Sequence, residues 1–264
     1  MTSRIRFMKD LDSISLKDPI LIQGLPGVGN VGKLGVNHMI QELKAIYFAE
    51  LYSYTFPYHV LVNKDGILRL LRNEFWFSQL SKSGGKHDVI FITGDYQSQT
   101  PEGQFTIVNM ILDLAEKFKV SQIYTLGGYA TGSVSKNPRV FGTATSLSLI
   151  KQLKDEEIEI NESGGPIVGA SGLLIGLGKM RGIDGACLLG ETSGFMADAL
   201  SAKVVLEKLI KLVEIELDLG PLEVKAQNLT KLIDQMKQRQ RPGTRRRPAS
   251  DESEEEKDDL SYIG

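Results

Sequence analysis

Of 264 residues only Cys187 is a cysteine, so no disulfide can form within the chain. Its setting, "ACLL", reads as a small buried hydrophobe in a reducing compartment, with nothing nearby to lower its pKa. No segment approaches the ~20 consecutive apolar residues of a membrane-crossing helix, and no long apolar stretch follows the charges of the first 18 residues. No membrane is therefore expected as a partner, and the chain is expected in the cytoplasm. Charge of one sign is lacking too: the net charge of -2 gives no reason to expect nucleic acid. Histidines are few, and His38, His59 and His87 are scattered without metal-ligand spacing. No metal or other cofactor is expected. Aromatic residues are only 7% of the chain, and its one tryptophan, Trp76 in "EFWF", reads as a packing or subunit-contact residue.

What is present is an α/β rhythm. Apolar runs at 19–23, 45–51, 88–93, 122–126, 166–170 and 185–189 lead into glycine-rich turns, as strands covered on both faces do. Helical patterns lie between them, most clearly at 103–118, 143–157 and 195–217. The alternation predicts a mainly parallel central sheet flanked by helices. Within 59–77 two apolar segments surround Asn63-Lys64-Asp65-Gly66, which predicts an inserted β-hairpin. The α/β domain is expected over 1–219. Gly220-Pro221 is expected to end the long helix, with a C-terminal helix to residue 240. From Arg241 a basic block gives way to an acidic one, with too little apolar surface to offset chain entropy, so 241–264 is expected to be a disordered tail. Apolar residues return only in "LSYIG" at 260–264.

The stretch "ILIQGLPGVGNVGKL" (20–34) fits two phosphate-binding patterns. Gly27 to Lys33 match a P-loop until Leu34, which stands where a hydroxyl should hold Mg²⁺. Asp95, past the strand in "VIFITGD", is a weak substitute for a Walker-B acid. Gly27, Gly29 and Gly32 also match the dinucleotide fingerprint, with Glu50 near the distance expected of a ribose-binding acid and Pro26 against the match. The alternative is structural: Gly24, Gly27, Gly29 and Gly32 let the chain turn tightly from strand into helix and let that helix pack close to the sheet.

These residues also carry a resemblance. "GLPGVGNVGKLG", "YSYTFPYHVLVNKDG", "VIFITGDYQSQTPEG", "IYTLGGYATG", "GPIVGASGLLIGLG" and "LLGETSG" together resemble the proteasome assembly chaperone family, in particular archaeal homologues of eukaryotic proteasome assembly chaperone 2. The likeness implies a nucleoside-phosphorylase-like α/β fold and a homo-oligomer, a tetramer or pentamer. It also implies ATP-independent binding to 20S proteasome α-subunits or α-rings through a C-terminal tail, without enzymatic activity. Chains of this type end in a hydrophobic-tyrosine-any tripeptide; here Tyr262 stands third from the end, before Ile263 and Gly264. One extended residue spans ~3.3 Å. Leu260, Tyr262, Ile263 and Gly264 are thus the partner-binding residues, in a shifted register or through an adaptor protein. The alternative function is a phosphorylase-like enzyme or small-molecule (nucleotide) binder using strand-end loops around Asp95, Thr131, Glu191 and Ser193.

Overall fold

The computed structural model describes residues 2–160 and 164–227. Strands β1 (Arg4–Phe7), β2 (Ile20–Gln23) and β3 (Ile46–Tyr52) enclose helix α1 (Val31–Glu42). A short ribbon, β4 (Val60–Val62) and β5 (Leu68–Leu70), precedes β6 (Asn73–Ser78) and β7 (Val89–Gly94). Then come α2 (Pro101–Lys117), β8 (Gln122–Ala130), β9 (Val140–Ala144), α3 (Leu147–Asp155), β10 (Glu159–Ile160), α4 (Ala170–Met180), β11 (Asp184–Thr192) and α5 (Ala199–Leu212). Nine strands form one sheet in the order β1-β3-β6-β7-β2-β8-β11-β9-β10, and β4 pairs with β5 in a separate ribbon.

The sheet is mixed. Its centre, β7-β2-β8-β11, is parallel, whereas β6 joins β7, and β9 joins β11, antiparallel. Each central strand is apolar on both faces because both are covered. On β2, Leu21 points into a layer with Ile107, Ile111 and Leu174 of α2 and α4. Its neighbours Ile20 and Ile22 point into the opposite layer, with Val36 and Met39 of α1 and Leu206 and Leu209 of α5. Cys187 is fully buried, and burial pushes its thiol up to about 11.

Several expectations are corrected. Residues 166–170 are not a strand but the entry to α4, because Gly164, Gly165 and Gly169 all take positive φ and no extended pairing continues through them. The helix expected from 143 begins at Leu147, since Thr143 and Ala144 still pair with Cys187 and Ala186. The helix expected over 195–217 runs only from Ala199, capped by Asp198 accepting from the Ser201 amide at 2.9 Å, to Leu212, after which Glu214 takes φ 53°. Gly220-Pro221 opens a helical stretch, 220–227, rather than closing α5; proline suits a first helical turn, where its missing N–H costs nothing. Leu222 and Ala226 anchor that stretch by burial.

Candidate functional site

The glycine-rich turn sits where β2 ends, at the carboxyl ends of the parallel strands. Gly24 and Gly32 permit a contact that no larger residue could share. A Cβ on Gly24 would lie 2.1 Å from the Gly32 carbonyl oxygen, and one on Gly32 would lie 2.0 Å from that of Leu126 on β8. At Gly29 φ is +60° and a Cβ would stand 2.7 Å from Thr192 Oγ1. Gly27 differs: its backbone is extended (φ -168°), and a Cβ would meet nothing nearer than 3.7 Å. The turn is thus shaped by the docking of α1 on β8 and by the approach of β11.

Beside it opens a cleft of about 480 Å³. It is lined by Gly27 and Val28 of the turn, by Gly128 and Tyr129 of β8, and by Pro166 to Val168 before α4, among others. Gln97 ties the turn to α4: its Nε2 donates to the Pro26 carbonyl (2.7 Å) and its Oε1 accepts from the Ala170 amide (2.9 Å). The first amide of α4, a place where an anion could bind, is therefore already satisfied by the protein's own amide side chain. Among the described residues no lining side chain carries a charge. Buried Gln23 accepts from Ser171 of the cleft wall (3.3 Å), and its Nε2 has no acceptor among the described residues.

The strand-end polar residues do not line this cleft. Asp95 forms a two-pronged ion pair with Arg69 and accepts from the Arg72 amide at 3.1 Å. Burial raises its carboxyl, but these donors outweigh burial and hold it below the usual aspartate range. Glu191 is paired with Arg139 (3.1 Å), whose hydrogen bond holds its carboxyl low as well. The Thr131 amide donates to the Thr192 carbonyl at 2.9 Å, and Ser193 is buried. Paired carboxylates held ionised are poor proton donors at neutral pH.

Glu50 is also displaced from its expected role. β3 lies three places from β2, with β6 and β7 between, so Glu50 is separated from the turn by three strand spacings, ~14 Å. It is buried and accepts hydrogen bonds from Tyr47, Tyr52 and Arg72. Trp76 packs on Tyr47 with ring centroids 4.8 Å apart and donates to Glu74 at 3.3 Å. His38 contacts the Asp218 carbonyl (2.6 Å), His87 pairs with Asp18 (2.8 Å), and His59 packs edge-on against Tyr96. Among the described residues no three His, Cys, Asp or Glu side chains converge as metal ligands. Leu260, Tyr262, Ile263 and Gly264 lie outside the described residues.

Comparisons with known proteins place this architecture. The profile of the PAC2 family matches residues 21–237. The crystal structure of Pyrococcus furiosus PbaB, an archaeal proteasome activator, is similar with a TM-score of 0.82 and 37% identity, covering 89% of this chain and 99% of that one. Pyrococcus furiosus PbaA, an archaeal homologue of proteasome-assembly chaperone, superposes with a TM-score of 0.72 and 25% identity, covering 89% and 92%. Protein MJ1210 of Methanocaldococcus jannaschii is 37% identical over 259 residues, 98% of this chain and 96% of its own length.

Proposed function

The chain belongs to the PAC2 family, and on that premise we propose that it is an ATP-independent, non-enzymatic chaperone or activator of the 20S proteasome, acting in the cytoplasm on α-subunits or α-rings. The observation that carries this reading is the likeness to PbaB over nearly the whole length of both chains. The cleft supports it from the other side, because its lining among the described residues holds neither a charged group nor a nucleophile paired with a base. The nucleoside-phosphorylase-like character of the fold belongs to the same proposal.

Contact with the α-ring is assigned to Leu260, Tyr262, Ile263 and Gly264, directly or through an adaptor. They restore apolar character after a long charged stretch of sequence. The working form is a homo-oligomer, a tetramer or pentamer, in which several weak terminal contacts to one ring combine through effective concentration. Capture of 20S α-rings by the full chain is expected to fall at least tenfold for a chain ending at Asp259. Equal capture by both forms in a pull-down would remove the terminus from the mechanism.

A second reading, a small-molecule binder, is favoured by one observation: the Gln23 amide, bonded to Ser171 of the cleft, lacks an acceptor among the described residues. The lining, uncharged among the described residues, suits a neutral ligand such as a nucleoside better than phosphate or a nucleotide. A saturating ligand of the native state raises its Tm. The chaperone reading predicts no rise with nucleosides, inorganic phosphate, adenine nucleotides or nicotinamide nucleotides; a rise with a nucleoside would establish the second reading.

A further inference from the structure

The ribbon of β4 and β5 has two unlike faces. Its register pairs Val60 with Leu70, Leu61 with Arg69, and Val62 with Leu68. Alternation puts Leu61 and Arg69 on one face, which is anchored: Leu61 packs against the core and Arg69 holds Asp95. The other face carries Val60, Val62, Leu68 and Leu70, exposed by 43%, 66%, 65% and 59%. Tyr58 (104%), two residues before Val60, extends it, whereas alternation places Ile67 (62%) on the side of Leu61 and Arg69. No charged side chain interrupts it; Lys64 and Asp65 lie in the turn at the tip.

We propose that this face is the contact between two copies of the chain, the ribbon of one packing face to face on the ribbon of the other about a two-fold axis. Three physical arguments select a second copy. First, these five residues leave on the order of 650 Å² exposed, approaching the ~800 Å² that each partner gives to a standard interface and at the upper end of a monomer's largest patches. Second, a face of four aliphatic side chains and one tyrosine is typical of permanent contacts between copies, since transient partners meet through surfaces about as polar as the rest. Third, a face without charge packs on itself with no like-charge repulsion, while a charged partner would find nothing to pair with. A two-stranded ribbon is marginal alone, and stacking it on a second one ~10 Å away covers the side the protomer leaves open.

The inference rests on the homo-oligomeric part of the proposed function and names its surface. Native mass spectrometry of the full chain and of Leu68→Glu and Leu68→Lys variants tests it. Leu68 is mostly exposed, so both variants are expected to fold, with unchanged far-UV circular dichroism. Each is expected to fall to half the wild-type number of copies or fewer, and an equimolar mixture of the two to recover the wild-type number through opposite charges across the axis. Variants that keep the wild-type mass, or a mixture that stays dissociated, overturn the ribbon contact while leaving an oligomeric chaperone standing. An odd-numbered wild-type assembly overturns the two-fold arrangement. A monomeric wild type overturns this inference together with the oligomeric reading. Wild-type mass combined with lost capture of α-rings overturns it in favour of a proteasome partner on that face.

Discussion

Gly32→Ala is expected to cost more than about 4 kcal/mol, enough to leave a domain of ordinary stability largely unfolded, while Gly27→Ala stays within about 0.5 kcal/mol of wild type. The two positions belong to one motif, yet the structure asks different things of them. A methyl on Gly32 would enter the Leu126 carbonyl at 2.0 Å, and what it meets is backbone of the central strand β8, which cannot rotate away. α1 would have to lift from the sheet, and Val36 and Met39, both fully buried, would lift with it. Gly24→Ala meets the Gly32 carbonyl at 2.1 Å and is expected to behave alike. Gly27 has ordinary extended backbone and open space. Gly176 gives the opposite sign: it lies inside α4, and a Cβ there meets nothing within 4 Å, so Gly176→Ala is expected to stabilise by about 1 kcal/mol. Urea unfolding of the four variants checks the series. A Gly32→Ala protein as stable as wild type would mean that α1 does not dock as described.

That contrast shows how far the sequence could be read. It presented three fingerprint glycines as equivalents, and only packing from β8 and β11, about a hundred and more residues away in the chain, separates them. The central strands were legible because runs such as "ILI" (20–22) and "VIFI" (89–92) are apolar at every position, as burial on both faces requires. The same criterion misread 166–170, a short apolar run that glycines with positive φ turn into a loop. The hairpin turn at Asn63–Gly66 was plain, but the segment after it hides two strands. β5 ends at Leu70 and β6 starts at Asn73, in different sheets, because the Arg72 amide is held by Asp95 and the Arg72 side chain by Glu50 and Glu74. Nor could the ribbon's faces be told apart from "HVLVNKDGILRLL": Val60, Leu61 and Val62 are all apolar, and only the anchoring of Leu61 and Arg69 decides which side is open. The cleft drew on Gln97 and on 166–171, whose roles arise from contacts across some 70 residues.

Arg72→Ala is expected to destabilise the protein by about 2–3 kcal/mol at pH 7, somewhat less than the 3–5 kcal/mol of breaking a fully buried pair because the guanidinium is partly exposed. Glu50 and Glu74 stand directly opposite each other on β3 and β6, an unfavourable pairing of like charges. Arg72 resolves it by donating to both, and its guanidinium also lies 5.7 Å from the centre of the Tyr47 ring. Burial alone would raise the Glu50 carboxyl; the hydrogen bonds from Tyr47 and Tyr52, with the Arg72 charge, outweigh it and hold the group below the usual glutamate range. A carboxyl lowered on folding contributes stability that is present in full above its unfolded value, ~4.3, and disappears as pH falls through the lower folded value. Without Arg72 one of the influences that oppose burial is lost, the folded carboxyl moves up, and acid unfolding begins at higher pH than in wild type. As pH falls from the higher folded value of the variant through the lowered one of the wild type, Glu50 becomes protonated in both proteins and the charge at stake is gone, so the difference between them should shrink over that acid range. Glu50→Gln added to Arg72→Ala removes the stranded charge and is expected to return at least about 1 kcal/mol of the loss, the coupling that contacting residues show. Urea unfolding at pH 7 and pH 4 for the wild type, the single and the double variant measures all three. A cost independent of pH, or a double variant weaker than Arg72→Ala, would show that Arg72 acts by packing rather than by compensating the buried carboxylate.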